Sequence, residues 1–130
     1  MIVVDSSVWV CALRDSDGRE ARVLTALLDA DEIALPVPVR IELLSGAAKR
    51  DLPRLRRTLS ALPVVYPDEE TWALIDRWVD LAAAKGQRFG FGDLLIGALA
   101  VDTGALVWSL DADFVRMSQA GLISLYEPRV

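Results

Sequence analysis

The chain opens with an apolar run at residues 1–4 that stops abruptly at Asp5, Ser6 and Ser7. Continuous apolar and mostly β-branched character is typical of a strand that is buried on both faces in the middle of a parallel sheet. In open α/β sheets, the carboxyl ends of the strands form the edge at which ligands bind. Asp5 is therefore expected either to cap the next helix or to belong to a functional site.

Helical and strand patterns alternate along the rest of the chain. Apolar residues at helical spacing predict helices at residues 6–13, 19–29, 39–49, 67–85, 93–101 and 114–120. Short apolar or β-branched runs bounded by turn residues predict further strands at residues 32–35, 63–66, 105–108 and 123–126. This alternation predicts an α/β fold, a three-layer α/β/α sandwich with a mainly parallel central sheet. The length favours one domain at residues 1–130.

Two helices carry the clearest expectations about burial. The 67–85 helix places four apolar residues on one face, which we expect to pack against the core: Trp72, Ile75, Val79 and Ala82. Trp72 and Trp108 are accordingly assigned to the core rather than to a surface that stacks on bases. The 93–101 helix is apolar on nearly every side, so it is predicted to be buried, with Asp93 entering the core at its N-terminus.

The composition limits the chemistry that is open to this chain. It contains no histidine, which excludes Ser-His-Asp and Cys-His catalysis and histidine-rich zinc or iron sites. The single cysteine, Cys11, has no disulfide partner and fits a reducing cytosol. No basic segment precedes a long apolar stretch, so we expect a cytoplasmic protein without a membrane segment.

One basic segment interrupts an acidic chain. The net charge of −5 argues against non-specific binding of nucleic acid by the whole surface. Residues 49–57 nevertheless hold five cations against one acid: Lys49, Arg50, Arg54, Arg56 and Arg57. This segment is either a contact for an RNA backbone or a solvated helix face with Leu52, Leu55 and Leu59 as its apolar seam.

Several acids stand at the end of a strand or among apolar residues: Asp5, Glu42, Asp93, and Asp111 or Asp113. Taken singly, Asp5, Asp93 and Asp111 stand where helix N-caps are expected. Glu42 lies inside a helix, where a solvated side chain is the simple interpretation. Taken together, carboxylates at one sheet edge repel one another unless a cation is bound. Oxygen ligands suit hard ions such as Mg²⁺ or Mn²⁺, so the joint interpretation is a metal site.

Four segments carry these acids in order. They are Val-Val-Asp-Ser-Ser at 3–7, Arg-Ile-Glu-Leu at 40–43, Gly-Asp-Leu-Leu-Ile-Gly-Ala-Leu-Ala at 92–100 and Ser-Leu-Asp-Ala-Asp-Phe at 109–114. In this order, over nearly the full length, they resemble the PIN-domain ribonucleases, in particular the VapC-type toxins of bacterial and archaeal toxin–antitoxin pairs. Leu95 departs from the family pattern, in which a small residue is more usual, and this affects packing rather than the acids.

The resemblance implies endonucleolytic cleavage of RNA with Mg²⁺, or alternatively Mn²⁺, as cofactor. The residues that it implies for catalysis are Asp5, Glu42, Asp93 and Asp111. Those that it implies for metal binding are Asp5, Asp93, Asp111 and Asp113. Asp111 matches the fourth acid best because it follows Ser109 at the family's spacing, and Asp113 is the alternative. Ser7 and Ser109 are implied to orient the ligands. The resemblance also implies homodimers and a cognate VapB-type antitoxin.

Three other functional classes fit the same residues less well. A haloacid-dehalogenase-like phosphotransferase also has an acid after its first strand, but it needs a second aspartate where this chain has Ser7. A receiver-type switch domain needs an adjacent acidic pair after the first strand, which this chain lacks. A non-catalytic PIN-like module that binds RNA or protein is the remaining alternative, against which the complete set of acids weighs.

Overall fold

The computed structural model describes residues 1–129. The strands are β1 (Ile2–Val4), β2 (Ile33–Pro36), β3 (Val64–Val65) and β4 (Leu106–Trp108). The helices are α1 (Ser6–Arg14), α2 (Arg19–Asp29), α3 (Val37–Gly46), α4 (Leu52–Ser60), α5 (Glu69–Ala84), α6 (Phe91–Asp102) and α7 (Ala112–Gln119), with a 3₁₀ turn at Lys49–Asp51.

The strands form one sheet in the order β3-β2-β1-β4. Every neighbouring pair is parallel, with Ile2 opposite both Ile33 of β2 and Leu106 of β4. Helices flank this sheet, so the predicted α/β fold with a mainly parallel central sheet is confirmed. Because β1 and β4 are neighbours and parallel, the residues that follow them meet at the same edge.

The core is built around the central strand. The side chains of Val3 and Val4 are fully buried, as expected for a strand covered on both faces. Helix α6 is buried continuously from Leu94 to Ala100, which confirms the expectation from its apolar pattern. Gly97 lets this helix approach its neighbours, because a Cβ there would lie 2.8 Å from the Met117 side chain.

Some predicted boundaries shift for local reasons. Helix α3 begins at Val37 and not at residue 39, because Pro38 fits the first turn of a helix, where no N–H partner is needed. It ends at Gly46, three residues earlier than predicted. Helix α6 begins at Phe91, two residues before Asp93, so Asp93 lies in its first turn.

The prediction of a terminal strand at residues 123–126 is wrong. Only one parallel bridge joins this segment to the sheet within the described residues, between Val107 and Leu125. The assignment of Trp72 and Val79 to the core is also wrong. Their exposed fractions are 44% and 49%, and the buried residues of α5 are Thr71, Ile75, Trp78 and Ala82. Trp108 is buried as predicted.

None of the helices in residues 1–129 combines the length and apolar character that crossing a membrane requires.

Candidate metal centre

Asp5 lies at the carboxyl end of β1 and is almost fully buried. It caps α1, since its Oδ2 accepts a hydrogen bond from the backbone N–H of Ser7 at 3.4 Å. The hydroxyls of Ser7 and Ser109 each donate to the same Oδ2 at 2.8 Å. Asp5 is therefore both a helix cap and a carboxylate held in one orientation, so the two interpretations of this residue are compatible.

The two serine hydroxyls also connect separate elements. The Ser7 hydroxyl accepts the N–H of Leu110 at 3.0 Å, and the Ser109 hydroxyl accepts the N–H of Asp111 at 2.9 Å. These bonds tie the β4–α7 connection to the start of α1. The geometry agrees with the expected orienting role of Ser7 and Ser109, and that role itself stays a prediction.

Three more acids meet at this edge. Carboxylate oxygens of Asp93, Asp111 and Asp113 lie within 4.8 Å of one another, and this is the group with metal-ligand spacing found in residues 1–129. Asp111 caps α7, because its Oδ1 accepts the N–H of Asp113 at 2.9 Å. We call these three residues together with Asp5 the acidic cluster. Oxygen donors at this separation suit a metal ion.

The fold disfavours the charge of Asp93. Its carboxyl group is partly buried, and burial is the largest cause that raises its pKa, to about 6. The negative charges of Asp111, Asp5 and Asp113 raise the pKa further. Desolvation and like charges both disfavour the ionised form of an acid, and a bound cation would reverse the second effect.

Glu42 does not join the acidic cluster. It is exposed on α3, as the simple interpretation of a solvated helix residue predicted. Its Oε1 nevertheless accepts a hydrogen bond from the hydroxyl of Ser6 at 2.9 Å, and Ser6 is the chain neighbour of Asp5. Glu42 is thus connected to the start of α1 next to the buried acid, and its catalytic role stays a prediction.

The sequence did not predict two residues that bond to these acids. Arg116 donates to Asp113 at 2.7 Å, and its guanidinium lies 4.8 Å from the centre of the Phe89 ring. The spacing of three residues between Asp113 and Arg116 on a helix is a signal for such a pair. The other residue is Ser6, whose bond to Glu42 joins elements that no local pattern connects.

The basic residues at 49–57 lie along the 3₁₀ turn and α4. All five are exposed, whereas Leu55 and Leu59 on the same helix are buried. The apolar seam that the sequence predicted therefore faces the core. The only ion pair formed by this segment within the described residues is a long one, 4.0 Å between Arg50 and Asp51.

The PIN-domain family profile matches residues 2–120. The chain belongs to the PIN-domain family. The match covers all seven helices and the four strands, and it confirms the resemblance drawn from the four segments that carry the acids. Membership of the PIN-domain family also excludes the haloacid-dehalogenase alternative.

Relatives within the PIN-domain family include ribonucleases named VapC. Ribonuclease VapC11 of Mycobacterium tuberculosis is 33% identical over 127 residues, which cover 88% of this chain and 89% of that protein. Ribonuclease VapC32 of the same species is 37% identical over 114 residues, 85% of each chain. These values place the chain among the VapC-type PIN-domain proteins.

A solved structure shows the same PIN fold. It is that of VapBC2 from Rickettsia felis bound to a DNA fragment from its promoter. The similar chain aligns with a TM-score of 0.79 at 20% identity, over 97% of this chain and 98% of that chain. The central sheet and helices described above are therefore shared with that chain.

Proposed function

We propose that this chain is the toxin of a VapBC-type toxin–antitoxin pair and hydrolyses phosphodiester bonds within RNA, with Mg²⁺ as its cofactor. The observation that carries the proposal is the meeting of Asp93, Asp111 and Asp113 within 4.8 Å. Both curated relatives described above are named ribonucleases. A carboxylate cluster in a chain of this family supports metal-assisted hydrolysis.

The donor set fits a hard divalent cation. Every candidate ligand atom in the acidic cluster is a carboxylate oxygen, and the chain has no histidine that would favour zinc or copper. Burial raises the pKa of Asp93 most, and the charges of Asp111, Asp5 and Asp113 raise it further; a cation would relieve the repulsion among these charges. We propose that the ion, Mg²⁺ or alternatively Mn²⁺, is bound by Asp5, Asp93, Asp111 and Asp113.

The chain's own side chains supply orientation and proton transfer. When bound, the ion supplies a Lewis acid that makes water more acidic and offsets the charge of the phosphate. The hydroxyls of Ser7 and Ser109 occupy Oδ2 of Asp5, and within residues 1–129 no donor bonds to Oδ1, which leaves that oxygen for the ion. A carboxylate among Asp5, Glu42, Asp93 and Asp111 accepts the proton of the attacking water as it approaches phosphorus in line. The bond from phosphorus to the ribose oxygen on the opposite side breaks, and that oxygen takes a proton from solvent.

Cleavage of RNA by the purified protein tests this proposal. We expect products with Mg²⁺ and with Mn²⁺ and none with a chelator. We expect loss of at least about a hundredfold in rate for Asp93→Asn, because this substitution removes a ligand charge while keeping the shape of the side chain. The matched control is Asp76→Asn on the exposed surface of α5, which we expect to cleave like the parent.

Two results would contradict the proposal. Cleavage that continues in chelator would show that the acids do not act through a metal. Metal binding without any cleavage of RNA would favour the non-catalytic PIN-like module, because that module would keep the acidic cluster and lack the activity.

The partners follow from the same family. VapBC2 from Rickettsia felis is a complex of two components, so we propose that this chain binds a cognate VapB-type antitoxin. We also propose that it forms homodimers and acts in the cytoplasm, where RNA is accessible. Co-purification with the product of a neighbouring gene and light scattering of the isolated chain test the first two statements.

The cations at 49–57 are proposed to contact the RNA backbone. Lys49, Arg50, Arg54, Arg56 and Arg57 are all exposed, so their charges are available to phosphates. Such contacts would position the RNA strand and carry no sequence information. The competing interpretation, a solvated helix face, predicts that neutralising them leaves RNA binding unchanged.

A further inference from the structure

A cleft lies beside the acidic cluster, between the start of α7 and the C-terminal segment of the chain. Its volume is about 270 Å³. Ser109 and Asp111 line it, as do Arg19 of α2 and the segment 125–128. We call this space the C-terminal cleft. Since Asp111 belongs to both the acidic cluster and the cleft, a strand held at the cluster would bring its next nucleoside to this space.

The outer wall of the C-terminal cleft is fixed by hydrogen bonds. Val107 of β4 donates to the carbonyl of Ser124 at 2.9 Å and accepts the N–H of Tyr126 at 2.7 Å. Farther along, the guanidinium of Arg19 donates to the carbonyl of Pro128 at 3.1 Å. The wall is therefore formed before any ligand binds, which lowers the entropy that binding must overcome.

The side chains in the C-terminal cleft suit a nucleoside. The half-buried ring of Tyr126 lies 5.9 Å from Trp108 at an angle of 64°, an edge-to-face contact that holds its orientation. Leu110 and Val115 add apolar surface that is 52% and 45% exposed. An aromatic ring with apolar neighbours can stack on a flat base, and Arg19 adds a cation for a phosphate.

A peptide strand fits the C-terminal cleft less well. An extended peptide binds by pairing with free backbone groups at the edge of a sheet. Here the N–H and C=O of Val107 are already bonded to Ser124 and Tyr126. The volume also lies just below the ~300 Å³ at which pockets for small molecules begin, so the cleft is too small for a folded segment.

We propose that the C-terminal cleft binds the nucleoside next to the scissile phosphate, with Tyr126 stacking on the base and Arg19 contacting a phosphate. The proposal rests on the proposed cleavage of RNA at the acidic cluster. It makes Tyr126 the residue that gives this space a modest preference between bases, because bases differ in stacking strength. Arg19, whose contact is with phosphate, would affect all sequences alike.

Two measurements test the proposal on the full chain. The first is a titration of the ¹⁵N-labelled protein with each of the four nucleoside 5′-monophosphates in Mg²⁺, followed by the amide signals of Leu110, Val115 and Tyr126. The second is the base composition at the ends of products from an RNA of mixed sequence. The titration needs no cleavage, so it tests the cleft even if the proposed activity fails.

The variants are matched to the chemistry of the C-terminal cleft. We expect Tyr126→Leu to weaken nucleotide binding about tenfold and to flatten the base preference, because it removes the stacking ring. Tyr126→Phe keeps the ring and should bind like the parent. The control Tyr66→Leu removes an exposed tyrosine outside the cleft and should change nothing. Arg19→Gln should weaken all four nucleotides equally.

A further variant keeps the test valid if Tyr126→Leu does not fold. Val115 is exposed on α7, so Val115→Trp fills the C-terminal cleft without entering the core, and it should abolish the nucleotide-induced shifts. The proposal is overturned if nucleotides shift signals elsewhere only, or if Tyr126→Leu and Val115→Trp leave both binding and base preference unchanged. Cleavage by the parent, with binding and base preference both unchanged in the two variants, would overturn the cleft and leave the proposed function standing.

Discussion

The charge of a single residue, Asp93, lowers the stability of the folded protein. Its pKa is raised to about 6 by burial and by the charges of Asp111, Asp5 and Asp113. The folded protein therefore holds the Asp93 proton at pH values where the unfolded chain has lost it. The stability of the metal-free protein should fall as the pH rises from about 4 to about 6, and the loss should be complete at neutral pH.

Asp93→Asn should stabilise the metal-free protein at pH 7.5. The amide keeps the shape of the side chain and removes the unfavourable charge, so we expect a gain of about 1 kcal/mol after allowing for solvent screening of this partly exposed group. At pH 4 the gain should largely vanish, because the parent is protonated there. Thermal unfolding in chelator at the two pH values measures the effect, with Asp76→Asn as control. Equal stabilisation at both pH values would exclude relief of charge as the cause.

The hydroxyls that hold Asp5 give a second prediction for single residues. Ser109→Ala removes one of the donors to Asp5 Oδ2 and the acceptor of the Asp111 backbone N–H, so both acids are held less firmly. We expect metal affinity to fall about 10- to 100-fold, and cleavage with it. Calorimetric titration with Mn²⁺ measures the affinity. Ser60→Ala, whose hydroxyl bonds to the backbone of its own exposed helix, is the control and should bind like the parent. Unchanged affinity in Ser109→Ala would show that Asp5 needs no support.

The spacing of apolar and polar residues along the chain predicted most of the helices and strands. Helix α2 has the predicted bounds, Arg19–Asp29, since Gly18 precedes it and its apolar residues keep one face. The residues after β1 and β4 were expected to meet because parallel strands end at one edge, and Asp5 and Ser109 do meet there. Pairing of Asp113 with Arg116 was within reach of the same reasoning.

Helix α5 shows what local pattern could not predict. It carries apolar residues on several sides, so the residue types alone did not show which face of the helix is buried. The buried face includes Thr71, a polar residue that bonds to Asp68 at the start of the same helix and to Asp102 of α6. Trp72 is exposed and instead stacks on Phe91, with ring centres 6.0 Å apart and planes 7° from parallel. The stack depends on the position of Phe91 at the start of α6. The sequence of α5 does not indicate that position.

Thr71→Val should destabilise the packing of α5 on α6. The Thr71 hydroxyl accepts the N–H of Asp68 at 3.1 Å and bonds to the carboxylate of Asp102 at the end of α6. The backbone N–H of Thr71, and after it the hydroxyl, lower the pKa of Asp68. Valine keeps the shape and loses the bonds of the hydroxyl, so we expect a loss of about 2 kcal/mol in the free energy of unfolding. Urea unfolding measures it, and the exposed Thr25→Val is the control. A loss as small as that of the control would show that the hydroxyl serves no structural role.

The net charge of the protein opposes binding of the proposed substrate, RNA. A net charge of −5 and four acids at the site repel an RNA backbone, so affinity must come from the ion and from local cations. The exposed arginines of α4 are the densest such group along the chain. Their contribution is long-range and electrostatic, and therefore sensitive to salt.

Neutralising α4 should change how RNA binding depends on salt. Each phosphate contact contributes a slope of about −0.7 to the plot of log affinity against log salt for a single strand. Arg54→Gln with Arg57→Gln should therefore reduce the slope by up to about 1.4 and weaken binding of all sequences alike. Fluorescence anisotropy of a labelled RNA across a salt series measures it. The control is Arg14→Gln with Arg22→Gln, which removes the same charge from α1 and α2. If both pairs change the slope equally, net charge rather than α4 attracts RNA, and the solvated-face interpretation of residues 49–57 is correct.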